Sequence, residues 1–355
     1  MKIPTLQIGN ITADLPIVQG GMGVRVSLAS LASAVAEEGG IGTISSIGLG
    51  DIEASKHDYE RMSREALERE IGKAKITSNG NIAVNFMGVL SNVDDLILAA
   101  IREGIKIIVF GAGLPTKLPA LIEDRSVNLV PIVSSARVAE FILRTWDKRY
   151  GRIPDAIILE GPLAGGHLGF SEEQLGQPDK FSLENLLPNI LEAIKRFEDK
   201  HGKKIPVIAA GGIFDGKDIA RMLSLGASGV QMATRFVCTK ECDVSQEFKQ
   251  IYLDAKEEDI VIIKSPVGMP GRAIKNKFLT DLEIKEKPKI KCPYRCLTAC
   301  KASDAKYCIA QALLNSYFGN VDQGLIFCGQ NVYRVDKIVT VKELISALLA
   351  ELEEA

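Results

Sequence analysis

The sequence predicts an α/β protein, a (β/α)8 TIM barrel with an inserted and C-terminal segment that covers the substrate site. Eight short apolar segments recur along the chain, as in strands that a parallel sheet buries on both faces. Segments of helical period separate most of them. Eight such units over about 240 residues fit a closed barrel better than an open sheet. The predicted strands are residues 15–19, 40–45, 81–86, 106–110, 128–134, 156–160, 206–210 and 229–236.

The end of this repeat defines the predicted domains. Residue Thr340 is a good helix cap, and Val341, Leu344 and Leu348 follow it at helical spacing, so we expect a last helix that docks on the barrel. The turn-rich stretch 265–273 favours an excursion that folds back over the barrel mouth. The predicted divisions are a cofactor-binding barrel at 1–258, the excursion with a cysteine-rich stretch at 259–339, and the docking helix at 340–355.

Composition excludes several classes of partner. Lysine plus arginine number 43 against 45 aspartates plus glutamates, which offers no electrostatic case for nucleic acid or an anionic membrane surface. No stretch reaches the length of a membrane span, and no signal peptide is recognisable, so a cytoplasmic location is expected. The seven cysteines fit thiols kept reduced. The oligomeric state stays open, with a homodimer as one option.

Two connections are longer than a barrel requires, and long connections are usually functional or mobile. The first, residues 48–79, carries His57 among charged residues, which indicates a solvated surface histidine. The second, residues 161–181, carries Gly165, Gly166 and His167 directly after a predicted strand. The glycines let a flat ligand approach the backbone, and histidine is suited to proton transfer near neutral pH. His167 is therefore the candidate catalytic residue.

The seventh and eighth units predict a phosphate site. Gly211 and Gly212 open the loop after one strand, and Thr234 follows the next strand as a hydroxyl donor. In barrels the loops after these two strands commonly hold a phosphate through backbone amides. A glycine pair alone also marks a plain turn, so the placement in the seventh repeat carries the prediction.

Together these features describe a slot for a flat phosphorylated cofactor, for which flavin mononucleotide (FMN) is the natural candidate. Asn85 and Gln231 can hydrogen-bond the polar edge of an isoalloxazine; the alternative is that they are satisfied polar residues in a barrel layer. The absence of a GxGxxG fingerprint after a strand, and of a lysine in a Schiff-base context, disfavours a tightly held nicotinamide and pyridoxal phosphate. The polar residues at inner strand ends are Gln19, Asn85, Glu160 and Gln231.

Four motifs, LPIVQGGMG, VNFMG, EGPLAGGHLG and VIAAGGI with GVQMATRF, resemble the nitronate monooxygenases, formerly called 2-nitropropane dioxygenases. Flavin-dependent enoyl-acyl-carrier-protein reductases and some NAD(P)H:quinone reductases share that fold. The resemblance covers roughly residues 1–280. It implies the catalytic position for His167 and no metal. It implies flavin contacts at Gly21, Met22, Asn85, Glu160, Gly165, Gly211, Gly212, Gln231, Met232, Ala233 and Thr234.

The resemblance implies FMN-dependent oxidation of nitronates with molecular oxygen, and no nicotinamide. The alternative is an NAD(P)H-dependent reductase of an enoyl thioester or a quinone. A flavin carrier with little turnover, or an electron-transfer partner acting through the cysteines, remains open too. Many family members have glutamine where this chain has Glu160, an acid where it has Leu163, and glycine where it has Ala233. A carboxylate at Glu160 would be unfavourable beside an electron-rich reduced flavin.

Four cysteines near the end of the chain have the spacing C-x3-C-x3-C-x7-C: Cys292, Cys296, Cys300 and Cys308. Four thiolates can hold an iron–sulfur cluster or zinc. The spacing is not a common ligand pattern, and in a helix the first three would share one stripe as small apolar core residues, although Pro293 favours a helix start there. Cys238 and Cys242 are expected to be buried or incidental.

Overall fold

The computed structural model of the chain describes residues 3–284, 290–298 and 300–355. Within that part, eight parallel strands close into a barrel, which confirms the predicted fold class. All eight predicted strands are present. The barrel strands are β3 (Ile17–Gln19), β4 (Ile41–Ser45), β5 (Asn81–Met87), β6 (Ile107–Gly111), β7 (Asn128–Val133), β8 (Ile157–Glu160), β10 (Val207–Ala210) and β11 (Gly229–Met232). Around the barrel they follow the order β10-β11-β3-β4-β5-β6-β7-β8.

The amino end of the barrel is closed by an N-terminal hairpin of β1 (Leu6–Ile8) and β2 (Ile11–Ala13). Leu6 and Ile8 are fully buried and pack with the inward-facing apolar side chains of the strands, such as Val130 and Ile158. The β-branched residues that favour strands thus also fill the interior. With that end plugged, a ligand can enter only at the carboxyl ends of the strands.

Helices surround the barrel, and local sequence signals fix their ends. Ser135 caps α5, where its hydroxyl accepts from the N–H of Val138, and Thr340 with Glu343 forms a capping box at α13. The helices are α1 (Ala29–Glu37), α2 (Lys56–Thr77), α3 (Val93–Arg102), α4 (Leu118–Leu121), α5 (Ala136–Tyr150), α6 (Glu172–Leu175), α7 (Leu183–His201), α8 (Gly216–Ser224), α9 (Thr234–Val237), α10 (Gln246–Asp254), α11 (Lys277–Ile284), α12 (Ile309–Tyr317) and α13 (Val341–Glu354). None of the described helices is long and apolar enough to cross a membrane.

Two connections differ from what the sequence analysis describes. The connection 48–79 has its length because α2 fills most of it, and this helix buries Tyr59, Leu67 and Ile71 on one face. His57 lies on its exposed side, as expected. The eighth strand ends at Met232 rather than at 236, since the short helix α9 begins at Thr234.

The excursion folds over the barrel mouth as a small antiparallel sheet. Strands β12 (Ile260–Lys264) and β13 (Pro270–Ile274) form a hairpin, and β13 also pairs with β9 (Gly166–His167) in the long loop after β8. Helices α11 and α12 pack beneath it around Ala273, Leu279 and Leu325. At the other side of the barrel α13 lies against α8, where Glu351 accepts the N–H of Gly216 at 2.8 Å.

Candidate active site

A cavity of about 460 Å³ opens at the carboxyl ends of the barrel strands, under the β9–β13 sheet. Barrels of this type place their sites at this end, and the volume is in the range of pockets for cofactors and small molecules. The cavity brings together every site residue that the sequence predicts: Gly21, Met22, Asn85, Glu160, Gly165, His167, Gly211, Gly212, Gln231, Met232, Ala233 and Thr234.

His167 reaches the cavity from β9, where it lies opposite Gly271 of β13. Its Nε2 atom is 2.7 Å from the Oγ atom of Ser265, and its ring meets that of Phe327 edge-on, with centroids 5.0 Å apart. Burial lowers the pKa of His167 to about 4, because a charged imidazolium is poorly solvated here. The imidazole is therefore neutral at pH 7.

Glu160 ends β8 deep inside the molecule but keeps part of its surface open to the cavity. Burial raises its pKa to about 8, although the N–H of Gly169 and the charge of Arg272 both act to lower it. At pH 7 the side chain is therefore mostly a neutral carboxylic acid. A neutral acid at this position adds no charge to the cavity.

Arg272 holds the loop that carries the glycine pair. The residue is only 4% exposed, and its Nη1 atom donates to the carbonyl oxygens of Pro162, at 2.7 Å, and of Ala164. Its backbone lies opposite Gly166 in the β9–β13 pair. Arg272 therefore fixes both ends of the turn from which His167 projects. Sequence analysis missed it, because its partners lie more than a hundred residues away along the chain.

Close backbone contacts explain the glycines on the floor of the cavity. A Cβ atom on Gly21 would lie 2.4 Å from Cβ of Asn85, and one on Gly20 would lie 3.2 Å from Cδ of Gln231. Side chains at 20 and 21 would therefore displace the two carboxamides. Asn85 and Gln231 consequently line the floor with peptide backbone directly beside them.

Gln19 differs from the other polar residues at strand ends, because it is fully buried and lies outside the cavity lining. Its Nε2 atom donates to the carbonyl of Gly20, and its Oε1 atom accepts from the N–H of Thr43 at 3.0 Å. Gln19 is therefore a satisfied polar residue of the barrel layer and not part of the predicted cofactor slot.

The predicted phosphate end is built from the loops after β10 and β11. Gly211 and Gly212 have φ angles of +94° and +83°, which L side chains rarely adopt, so glycine is needed at both positions. The Oγ1 atom of Thr234 accepts from the N–H of Gly329 at 3.1 Å, and Asn331 donates to the carbonyl of Gly212 at 2.7 Å. The segment 328–331 thus covers this end, a contact that the sequence does not indicate.

The outer wall of the cavity is apolar and comes from the excursion and from one barrel loop. Tyr252 of α10 supports this wall, because its hydroxyl donates to the carbonyl of Phe327. None of the wall residues belongs to a motif, so sequence reasoning missed them. The wall consists of Leu114, Met269, Leu313, Leu325 and Phe327.

The family profile described as nitronate monooxygenase matches residues 5–351 of the sequence. The chain belongs to the nitronate monooxygenase family. It is accordingly an enzyme, an oxidoreductase, and the predicted resemblance is confirmed. The matched span includes both the barrel and the excursion, so the segment that covers the cavity lies within the family's extent.

Relatives of this nitronate monooxygenase family member carry more than one name. The chain is 31% identical to a (3aS,4S,5R,7aS)-5-hydroxy-7a-methyl-1-oxo-octahydro-1H-indene-4-carboxyl-CoA dehydrogenase of Mycobacterium tuberculosis, over 80% of this chain and 69% of that protein. It is 27% identical to a probable nitronate monooxygenase of Staphylococcus saprophyticus, over 79% of this chain and 81% of that protein. The names therefore leave the reaction within the family open.

Solved structures match over almost the whole chain. FabK from Thermotoga maritima is 28% identical with a TM-score of 0.74, and the match covers 96% of this chain and 94% of that one. Nitroalkane oxidase from Streptomyces ansochromogenes reaches the same TM-score at 22% identity, covering 96% of both chains, and at that identity it supports the fold alone.

Proposed function

We propose that this protein oxidises nitronates with molecular oxygen and uses FMN as its cofactor. The observation that carries the proposal is the site at the barrel mouth, where His167, hydrogen-bonded to Ser265, and Glu160 line the same cavity as the glycine loops. Burial favours the neutral form of both side chains at pH 7. Neither group places a fixed negative charge where a reduced flavin or a nitronate anion would lie. The family membership and the relative named as a probable nitronate monooxygenase support the same substrate class.

The residues present fit FMN. The glycine loops at Gly211 and Gly212 turn their backbone toward the cavity, as binding of a phosphate by amides requires, and Thr234 adds a hydroxyl. Asn85 and Gln231 offer carboxamides to the polar edge of a flavin ring. Met22 and the glycine pair that includes Gly165 leave room for the flat face of that ring. When bound, the flavin supplies the redox chemistry, and the protein supplies orientation and electrostatics.

The role of His167 follows from its lowered pKa. An imidazole whose pKa is about 4 is a weak base, so it is poorly matched to removing a proton from the carbon of a neutral nitroalkane at pH 7. It can instead act as a neutral hydrogen-bonding group toward the nitro oxygens of a substrate that is already an anion. His167 therefore favours the nitronate over its parent nitroalkane.

A second candidate function is NAD(P)H-dependent reduction of an enoyl thioester. The apolar outer wall favours it, because Leu114, Met269 and Leu313 would suit an acyl chain better than a small anion. The 31% identical relative named as a carboxyl-CoA dehydrogenase supports a thioester substrate as well. In this reaction His167 would lie near the thioester carbonyl.

The proposed reactions differ in their partners. Nitronate oxidation uses oxygen as the co-substrate, whereas the reductase uses NADH or NADPH. In either case the cytoplasmic location and a homodimeric assembly stay predictions from the sequence.

Steady-state turnover tests the proposal. Oxygen consumption is followed with propionate 3-nitronate, and anaerobic NADH or NADPH oxidation is followed with a short enoyl thioester. We expect nitronate-dependent oxygen uptake that falls by at least about a hundredfold in His167→Ala and stays unchanged in His57→Ala, an exposed histidine. Thioester-dependent oxidation of NAD(P)H without nitronate turnover would overturn the proposal in favour of the reductase.

A further inference from the structure

A second cavity, of about 570 Å³, lies beside α12 and is lined by four cysteines. They do not form the helical stripe that their spacing allows, because the described residues from 290 to 298 are irregular chain with an isolated bridge. Cys308 instead occupies the position that caps α12. The fold therefore brings the loop that carries the first three cysteines and the start of α12 together around this cavity. The cysteines are Cys292, Cys296, Cys300 and Cys308.

The cysteine loop is fastened to the barrel. Leu297 forms an antiparallel bridge with Leu90 in the loop after β5, and the carbonyl of Cys296 accepts from the N–H of Ser91 at 3.0 Å. The ring of Tyr294 packs against that of Tyr59 in α2, with centroids 5.3 Å apart. The cysteine loop is thus held against the barrel at the carboxyl end of β5, the same strand end that lines the main cavity.

Backbone geometry marks this loop as constrained. Arg295, between Tyr294 and Cys296, has a φ of +45°, in the left-handed region that side chains other than glycine rarely adopt. Such strain persists where surrounding structure requires it, and it is common at ligand sites. At Arg295 it turns the chain between two residues of the cavity.

The chemistry of the cavity suits a thiolate-bound anionic group. The charged side chains among its lining residues are Lys56 and Arg295, both cations, although Lys56 also pairs with Glu60 at 3.4 Å. The hydroxyl of Tyr294 lies 2.6 Å from the sulfur of Cys308.

We propose that Cys292, Cys296, Cys300 and Cys308 bind a [4Fe–4S] cluster. Four thiolates without histidine select iron–sulfur clusters or zinc. The shared cavity of about 570 Å³ is far larger than a single zinc ion, so a four-iron cluster fits it better.

The cluster would lie close to the main cavity. Cys308 directly precedes α12, and Leu313, five positions further along this helix, lines that cavity; five residues of helix span about 7.5 Å. The hydroxyl of Tyr294 would donate to a ligand sulfur, a contact that tunes cluster potentials. The site is nevertheless independent of the proposed function, because its ligands lie outside the main cavity.

Metal and sulfide analysis tests the site. The full chain is purified anaerobically, reconstituted with iron and sulfide, and assayed for iron, zinc, acid-labile sulfide and FMN separately. We expect about four iron and about four sulfide per chain, with a paramagnetic signal after dithionite reduction. Binding of zinc alone, or of no metal, would overturn the proposal, and the FMN assay reports on the proposed function by itself.

Variants assign the ligands. We expect the double variant Cys292→Ser with Cys300→Ser to lose most of the iron and sulfide. Cys238→Ala, a buried cysteine outside both cavities, should keep them. Circular dichroism and thermal unfolding check that both variants fold. Full iron content in a folded double variant would contradict the assignment, and the measurement on the wild-type protein stands whether or not a variant folds.

Discussion

The Nε2 atom of His167 lies 2.7 Å from the Oγ atom of Ser265, a residue 98 positions further along the chain. Ser265 sits in the turn of the β12–β13 hairpin, where its hydroxyl also accepts from the N–H of Val267 at 3.4 Å. The excursion therefore does more than cover the barrel, because it supplies the side-chain partner of the histidine. The orientation of His167 depends on both segments.

Removing this partner should impair turnover without unfolding the protein. In Ser265→Ala the imidazole loses a hydrogen bond, which contributes about 1 kcal/mol, so we expect kcat to fall about three- to tenfold with KM nearly unchanged. Steady-state kinetics across pH measure the effect. Ser224→Ala, an exposed serine of α8, is the control and should leave kcat unchanged. An unchanged kcat in Ser265→Ala would show that Ser265 does not position His167.

Glu160 should make the protein less stable as the pH rises from 6.5 to 8. Its pKa is about 8 in the folded state, so the folded chain keeps a proton that the unfolded chain has lost, and this stabilisation disappears as the pH approaches 8. His167 does not contribute in this window, because its lowered pKa affects stability only below about 6.5. We expect a loss of about 1 to 2 kcal/mol in the free energy of unfolding.

Urea unfolding at the two pH values measures this loss, and Glu160→Gln should abolish it. The matched control is Glu173→Gln, at an exposed position, which should show the wild-type dependence. If Glu160→Gln lost as much stability between pH 6.5 and 8 as the wild-type protein, Glu160 would not carry a raised pKa.

Arg272 should be a major contributor to the stability of the loop that bears His167. Arg272→Ala leaves the carbonyls of Pro162 and Ala164 without their donor, so we expect a loss of about 3 kcal/mol in the free energy of unfolding. Arg272→Lys should recover only part of it, because an ammonium lacks the planar fork of the guanidinium. Urea denaturation measures both, with exposed Arg137→Ala as the control. A neutral effect of Arg272→Ala would refute this role.

Gly165 and Gly72 offer opposite outcomes for the same substitution. A Cβ on Gly165 would lie 2.5 Å from the carbonyl of Cys328, so Gly165→Ala should cost about 1 to 3 kcal/mol and reduce FMN retention. No atom lies within 4 Å of a Cβ on Gly72 in α2, so Gly72→Ala should stabilise by about 0.5 to 1 kcal/mol. Thermal unfolding compares the two variants. If Gly165→Ala left the thermal stability unchanged, the 328–329 segment would not be packed closely against the glycine pair.

The barrel and the predicted cavity residues could be derived from sequence because their signals are local. Each strand is a short apolar run, and Glu160, Gly211 and Gln231 lie at strand ends or directly after them, which a barrel brings to one face. Met22 and Met232 came only from the family resemblance. Arg272 and Ser265 could not be derived in this way, because their partners are distant in sequence. Their placement depends on how the excursion folds.

Two other patterns in the sequence are ambiguous. Helix α2 is rich in charge, but Tyr59, Leu67 and Ile71 recur on one face, and that spacing was a usable signal for a helix. The cysteines repeat every four residues as in a helix, yet the described loop is irregular. Periodicity alone cannot separate a helical stripe from a set of ligands.

Anaerobic stopped-flow spectroscopy of the FMN-loaded protein tests the central claim most directly. The flavin absorbance is followed after mixing with propionate 3-nitronate and, separately, with NADH or NADPH. The account predicts rapid bleaching by the nitronate, bleaching that is slowed at least about a hundredfold in His167→Ala, and no bleaching by the nicotinamides. Rapid bleaching by NADH or NADPH without any by the nitronate, or a protein that cannot be loaded with FMN, would contradict it.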